Sequence, residues 1–245
     1  MTAATTERLD RLLSRLGYCS RREVKSWIKQ GLIHIDGANA VSAAIRVSPG
    51  LVSVNGEALD HPDGLTLIYH KPLGSVCSRD DHGRLIYADF PERWLRRKPP
   101  LASIGRLDKD TAGLLILTDN GQLNHRLSSP KHHIARTYRV TLDRPLADDV
   151  QALFASGELM LDGDERPCLA AELRILGEKE AELTLHEGRY HQARRMFAAI
   201  GNHVAALTRI RLGAMSLADT GLSAGEFRCI SPESLLAWIE RGKPA

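Results

Sequence analysis

Apolar residues along this chain recur with two periods. Leu9, Leu12, Leu13 and Leu16 fall at i, i+3, i+4 and i+7, so they share one helix face, with Arg8, Arg11 and Arg15 on another. Gly17 predicts the end of that helix. Ser20-Arg21-Arg22-Glu23 has the capping-box pattern, in which Ser20 caps and Glu23 reaches back. It predicts a second helix to about Gln30, stopped by Gly31. Val24, Trp27 and Ile28 face inward, and Arg21, Arg22, Lys25 and Lys29 line the outside. Residues 32–35 and 51–54 read as strands, closed by the turn pairs Asp36-Gly37 and Asn55-Gly56.

Asp60-His61-Pro62-Asp63-Gly64 is polar and reads as a linker. A short strand follows at 67–69, broken by Lys71-Pro72-Leu73-Gly74. Residues 78–100 form a long excursion with Asp80, Asp81, Arg93, Arg96, Arg97 and Lys98; its basic cluster reads equally as a nucleic-acid contact or a solvated loop. Gly105-Arg106-Leu107-Asp108-Lys109-Asp110-Thr111-Ala112-Gly113 is a charged, glycine-bounded loop running into an apolar strand at 114–117, which ends at Asn120-Gly121. A helix at 122–129, a strand at 136–142, a helix at 147–155 and strands at 172–175 and 181–185 come next. Gly188 turns the chain into a helix near Tyr190 with a buried stripe of Ala193, Met196, Phe197 and Ile200, closed by Gly201. Residues 209–225 are mixed. Ser231-Pro232-Glu233 opens a last helix with Leu235, Leu236 and Ile239 inward.

Charge changes this picture more than composition does. The 245 residues are 43% hydrophobic with a net charge of +3. Residues 1–35 hold seven basic against three acidic residues, a local +4, and leave −1 for the remainder. A basic start on a nearly neutral body points to an anion-binding module, with nucleic acid the usual partner. Aromatics are 5%, which argues against extensive stacking of single-stranded bases. The four cysteines are scattered without a CxxC pair, against structural zinc or a disulfide framework. No signal-peptide core is expected at the start, and no apolar run approaches the ~20 residues of a spanning helix. The expectation is a cytoplasmic protein.

Phosphate-binding loops, dinucleotide fingerprints and nucleophile elbows are absent from the sequence. His132 and His133 are adjacent and do not converge on a metal. His186 and His191 are five apart and interrupted by Gly188, unlike a zinc-protease helix. What remains is an Asp loop, a Tyr strand and an Arg-bearing helix behind a basic module. On the loop alone, a surface turn with a solvated Arg106 competes with a catalytic reading, and Asp110 competes with Asp108.

Arg8-Leu9-Asp10, Ser20-Arg21-Arg22-Glu23, Gly31-Leu32-Ile33 and Val54-Asn55-Gly56 resemble the S4 RNA-binding domain. Gly105-Arg106-Leu107-Asp108 with Thr111-Ala112-Gly113-Leu114-Leu115 and Leu117-Thr118-Asp119-Asn120-Gly121 resembles the central motif of pseudouridine synthases of the small-subunit rRNA type. Lys71-Pro72-Leu73-Gly74, Lys131-His132-His133 with Thr137-Tyr138, and Glu187-Gly188-Arg189-Tyr190-His191-Gln192 through Phe197 match its other motifs. The second helix motif reads His-Gln-Ala-Arg where some relatives carry a bulkier apolar residue or Lys; Ala193 and Arg194 preserve the roles.

The resemblance implies an α+β protein. A small S4-like α/β RNA-binding domain would span 8–60 and a linker 61–64. A catalytic domain at 65–241 would hold a mixed, mostly antiparallel sheet with flanking helices. It implies isomerisation of a uridine in ribosomal RNA, 16S rRNA uridine 516 first, 23S rRNA second. A non-catalytic RNA-binding ribosome-assembly factor is the contrasting class. No cofactor and no metal are implied, and the protein would act as a monomer, without a membrane, on a small-subunit assembly intermediate. Asp108 matches the essential aspartate, Arg194 its basic partner and Tyr138 the tyrosine against the base. Leu185 matches the apolar residue on the base's other side, and Arg106 the residue that fills the gap left by the flipped uridine. Arg189, His191 and Gln192 would contact substrate. Arg8, Arg11, Arg15, Arg21, Arg22, Lys25 and Lys29 would meet RNA phosphates, which position without reading sequence.

Overall fold

The computed structural model describes residues 6–79, 82–129 and 134–242. Lys131, His132 and His133, and Asp80 and Asp81 of the excursion, lie outside these. The chain divides into two compact units: residues up to Thr66 with 87–102 and 118–121, and the remainder.

In the first unit the leucine stripe forms the helix Leu9–Arg15, and Leu9, Leu12, Leu13 and Leu16 are all fully buried. They pack with Val24, Ile33, Val47, Val52 and Val54. The second helix is Val24–Lys29, with one turn before it. Half of the expected capping box is present: the Glu23 carboxylate accepts from the Ser20 amide at 2.7 Å. Ile33–Ile35, Ala38–Asn39, Val52–Val54 and Glu57–Ala58 form a small four-stranded sheet. Its two tight turns use Asp36-Gly37 and Asn55-Gly56, each with both residues at positive φ, the backbone twist that matches a right-handed hairpin.

Residues 87–102 fold with this unit, which engages Arg93 and Arg97 of the basic cluster, while Arg96 and Lys98 are exposed. Arg93 donates to Asp60 at 2.6 Å and lies 4.5 Å over the Tyr18 ring; Trp94 donates to the same carboxylate. Arg97 is buried and pairs with buried Asp119 at 2.7 Å, while donating to the His61 carbonyl at 2.8 Å. Arg96 pairs with Glu92. Asp60 and His61, which the sequence suggested as linker, are therefore held by buried partners.

The second unit is built on a sheet in which the strands Glu172–Gly177, Glu180–Leu185, Arg136–Leu142, Val204–Leu212, Thr111–Thr118, Thr66–Lys71 and Phe227–Cys229 lie in that order. Val204–Leu212 runs parallel to Thr111–Thr118 and antiparallel to Arg136–Leu142, so the sheet is mixed. Val204–Leu212 has no counterpart in the sequence reading, because its polar Thr208, Arg209 and Arg211 interrupt an apolar run without marking a face. On one side Phe154, Met196 and Phe197 pack against Val140, Leu183 and Leu207. A further cluster joins Ile68, Leu114 and Ile116 to Trp238 and Ile239 of the helix Pro232–Arg241, which Ser231 caps.

One glycine explains a motif. Gly113 faces Arg209 in the parallel pairing, has φ +114° and leaves no room for a Cβ, which would meet the Arg209 nitrogen at 2.7 Å. Strand Thr111–Thr118 thus approaches its neighbour closely just after the Asp108 loop.

Candidate active site

The Asp108 loop is pinned from below. Leu107 is buried, and its backbone meets the Cys77 thiol. The Asp108 carbonyl accepts from Thr111, and the Lys109 carbonyl accepts from Gly74 at 2.8 Å. Lys71 is fully buried and donates to the Thr111 carbonyl at 2.8 Å and to the Pro72 carbonyl at 3.1 Å. Burial pushes its ammonium below the usual lysine range, against the opposing pull of Cys77, Asp108 and Asp110. The Lys71-Pro72-Leu73-Gly74 motif is therefore a brace under the loop that carries Asp108 and Asp110.

This loop edges a cavity of about 410 Å³. Asp108 lines it with Tyr138, Leu185, Arg194, Arg106 and His191. Tyr138 and Leu185 come from the sheet face: Tyr138 lies opposite Leu183, and Leu185 opposite Arg136. Leu185 is buried and Tyr138 half-buried. The cavity thus combines an apolar and aromatic wall with a carboxylate, the mix of apolar lining and a few polar groups that ligand pockets use. Arg106 is exposed at the rim.

The carboxylate partners differ from the sequence expectation. Asp108 faces His191, with Nε2 3.3 Å from Oδ1. Arg194 instead pairs with Asp110 at 2.9 Å. Its fork is held by two carbonyls, Val204 at 2.9 Å and Asp110 at 3.0 Å, which fix it at the Asp110 end of the loop. The Arg194 Nε is buried with no partner among the described residues. His191 reaches Asp108 because it precedes the helix Gln192–Ala199 in a left-handed conformation, φ 48°.

Arg189 and Gln192 line the same cavity with their polar atoms engaged by the protein. Arg189 pairs with Asp164 at 2.8 Å and Glu187 at 3.1 Å, and donates to the Arg166 carbonyl. Gln192 donates to Glu187 at 2.7 Å and accepts from the Arg189 amide. They brace the turn that presents His191. Arg136 and Arg209 also line the cavity. The sequence reading passed over both, although Arg136 stands two residues before Tyr138 and so on its face of the strand.

Comparison with known proteins decides the family. The profile of the family described as RNA pseudouridylate synthase matches residues 66–199, and that of the S4 domain matches 7–52. The chain belongs to the pseudouridine synthase family. It is 39% identical to the ribosomal small subunit pseudouridine synthase A of Escherichia coli K12, over 95% of this chain and all of that protein. It is 38% identical to the protein of that name from Haemophilus influenzae, over 93% of this chain and 97% of the relative. A crystal structure of a pseudouridylate synthase, 38% identical, superposes with a TM-score of 0.64 over 91% of this chain and 96% of the other.

The S4 domain of this synthase divides the expected RNA contacts into two sets. Arg8 and Arg21 both donate to buried Asp10 at 3.0 Å, and Arg15 pairs with Glu7 at 2.6 Å. The hydrogen bond from Arg8, then that from Arg21, overcomes the burial of Asp10 and lowers its carboxyl to about 2. Arg11, Arg22, Lys25 and Lys29 are exposed and have no ion pair among the described residues. No helix among the described residues is long and apolar enough to cross a membrane.

Proposed function

We propose that this synthase converts a uridine of small-subunit ribosomal RNA to pseudouridine, and that the target is uridine 516 of 16S rRNA. The observation that carries the reading is Asp108 at the edge of a cavity walled by Tyr138 and Leu185. The identity to enzymes named for the small ribosomal subunit supports the substrate.

The N1–C1′ bond breaks, the uracil turns, C5 bonds to C1′, and the C5 hydrogen leaves while N1 gains one. The net change is isomerisation, so electrons and atoms balance without an oxidant or water. The uridine reaches the cavity by leaving its helix, which costs a few kcal/mol of stacking and pairing. Arg106 at the rim fills the vacated position and offsets part of that cost. Tyr138 and Leu185 sandwich the base while it turns, and the Asp108 carboxylate acts beside the sugar. Arg194 holds the loop through Asp110, and His191 orients Asp108. Residues 8–60 grip RNA phosphates through Arg11, Arg22, Lys25 and Lys29, and residues 65–241 carry the reaction.

The test uses 16S and 23S transcripts tritiated at uridine C5, with the unaltered chain and Asp108→Asn, in chelator. Release from 16S by the unaltered chain alone is expected. Release from 23S alone refutes the substrate, and release by Asp108→Asn refutes the role of that carboxylate. Binding of both transcripts without release refutes the enzymatic reading of naked RNA and favours an assembly intermediate as substrate or a purely structural role.

A further inference from the structure

Two arginines that line the cavity have no carboxylate partner among the described residues. Arg209 is only 2% exposed, yet among the described residues its side chain makes one hydrogen bond, from Nε to the Leu114 carbonyl at 2.7 Å. Arg136 is half-buried, and its side chain makes one there too, to the Ile134 carbonyl at 3.3 Å. A guanidinium carries five N–H donors, so most of theirs meet no acceptor among the described residues. Neither has a carboxylate among the described residues. The contrast is Arg97, equally buried and paired with Asp119.

They also sit together. Arg136 and Tyr138 point to one face of their strand, and Arg209 lies opposite Tyr138 on the next. Burial and the charge of Arg209 both push the Arg136 guanidinium down, as expected when like charges share a confined space. The cavity's own carboxylates are committed elsewhere: Asp108 faces His191, and Glu187 is held by Arg189 and Gln192. Two converging cations without a counter-ion are costly unless an anion enters.

We infer that Arg136 and Arg209 form an anion subsite that takes a phosphodiester of the nucleotide whose base lies against Tyr138. The inference rests on the cavity being the uridine pocket. A phosphodiester brings a full negative charge and paired acceptor oxygens that match the planar guanidinium fork. A uracil carbonyl matches neither the charge nor the number of free donors. The subsite anchors the sugar–phosphate while the base is detached from it, so that C1′ stays in place for C5.

The test titrates the full chain with uridine, 5′-UMP and 3′-UMP at up to millimolar concentration, alongside tritium release from 16S transcript. At least one UMP is expected to bind about tenfold more tightly than uridine, the scale of one charge-assisted contact. The preference should fall to about twofold or less in Arg136→Gln and in Arg209→Gln, persist in part in Arg136→Lys, and be unchanged in Arg174→Ala, an exposed arginine paired with Glu182. Arg209→Gln also loses the bond to Leu114, so Arg136→Gln decides if that variant does not fold. Equal binding of UMP and uridine, no UMP binding at all, or a preference that survives Arg136→Gln overturns the inference. Tritium release without UMP preference removes the subsite and keeps the proposed function; UMP preference without release does the reverse.

Discussion

Gly113→Ala perturbs the closest backbone approach in the catalytic sheet. The added methyl meets the Arg209 backbone, its nitrogen at 2.7 Å and its carbonyl carbon at 2.9 Å, and neither belongs to a flexible side chain. The residue also has φ +114°, where an L side chain costs about 1–2 kcal/mol. Overpacking against a fixed strand adds about 1–3 kcal/mol. The sum is about 3 kcal/mol, which for a chain of this size lowers Tm by about 10 °C. Gly105→Ala is the control. Gly105 has φ +69° but nothing within 4 Å of its Cβ position, so it isolates the conformational term. It should cost about 1 kcal/mol, or about 3 °C. Thermal melts of the two variants, followed by circular dichroism, compare them directly. Equal losses would refute the close-approach argument and leave backbone conformation as the whole effect. The Gly113 variant should also lose activity beyond its stability loss, because the strand that must yield carries Arg209.

Other outcomes follow from the charges. Arg97→Leu leaves Asp119 buried and unpaired and should cost about 3–5 kcal/mol in urea unfolding, with part recovered by adding Asp119→Asn, which keeps an acceptor for Leu65. Lys25→Ala and Lys29→Ala should each weaken RNA binding at every sequence and flatten its log–log salt dependence by about one unit; Arg21→Ala should instead lower stability, because its charge serves Asp10. Asp10 titrates at about 2 when folded, below the ordinary carboxylate value. Its contribution is complete above the unfolded value and is lost as pH falls from about 4 through about 2. The stability gap between the unaltered chain and Asp10→Asn should close over that window, and a gap that widens on acidification would contradict the Arg8 and Arg21 contacts.

What sequence could show here was set by range. Leu9, Leu12, Leu13 and Leu16 announce a helix because their neighbours along one face are three and four residues away, and Asp36-Gly37 and Asn55-Gly56 announce turns because the strain they accept is local. Asp108, Tyr138 and Leu185 were legible only through motif resemblance, and the structure brings all three to one cavity. Which carboxylate meets which base was not legible. Asp108 and Asp110 are two residues apart, and the choice of Arg194 for Asp110 depends on the Val204 carbonyl, while His191 depends on a left-handed backbone at a helix start. The alliance of Arg97 with Asp119 and of Arg93 with Asp60 joins residues far apart in the chain, and no local pattern signals it.

That alliance bears on how such a protein can be inherited and dismantled. The first unit is threaded from three stretches of chain, and Trp94 from the second stretch meets Asp60 and His61 of the first. An exchange of gene segments at residue 66 would deliver the two basic helices without the arginines and tryptophan that complete the unit. A protease cutting there would release no finished module. The S4-like part is therefore tied to the rest of the chain by sequence continuity in both directions, and a swap that keeps it whole must carry residues 87–102 and 118–121 with it.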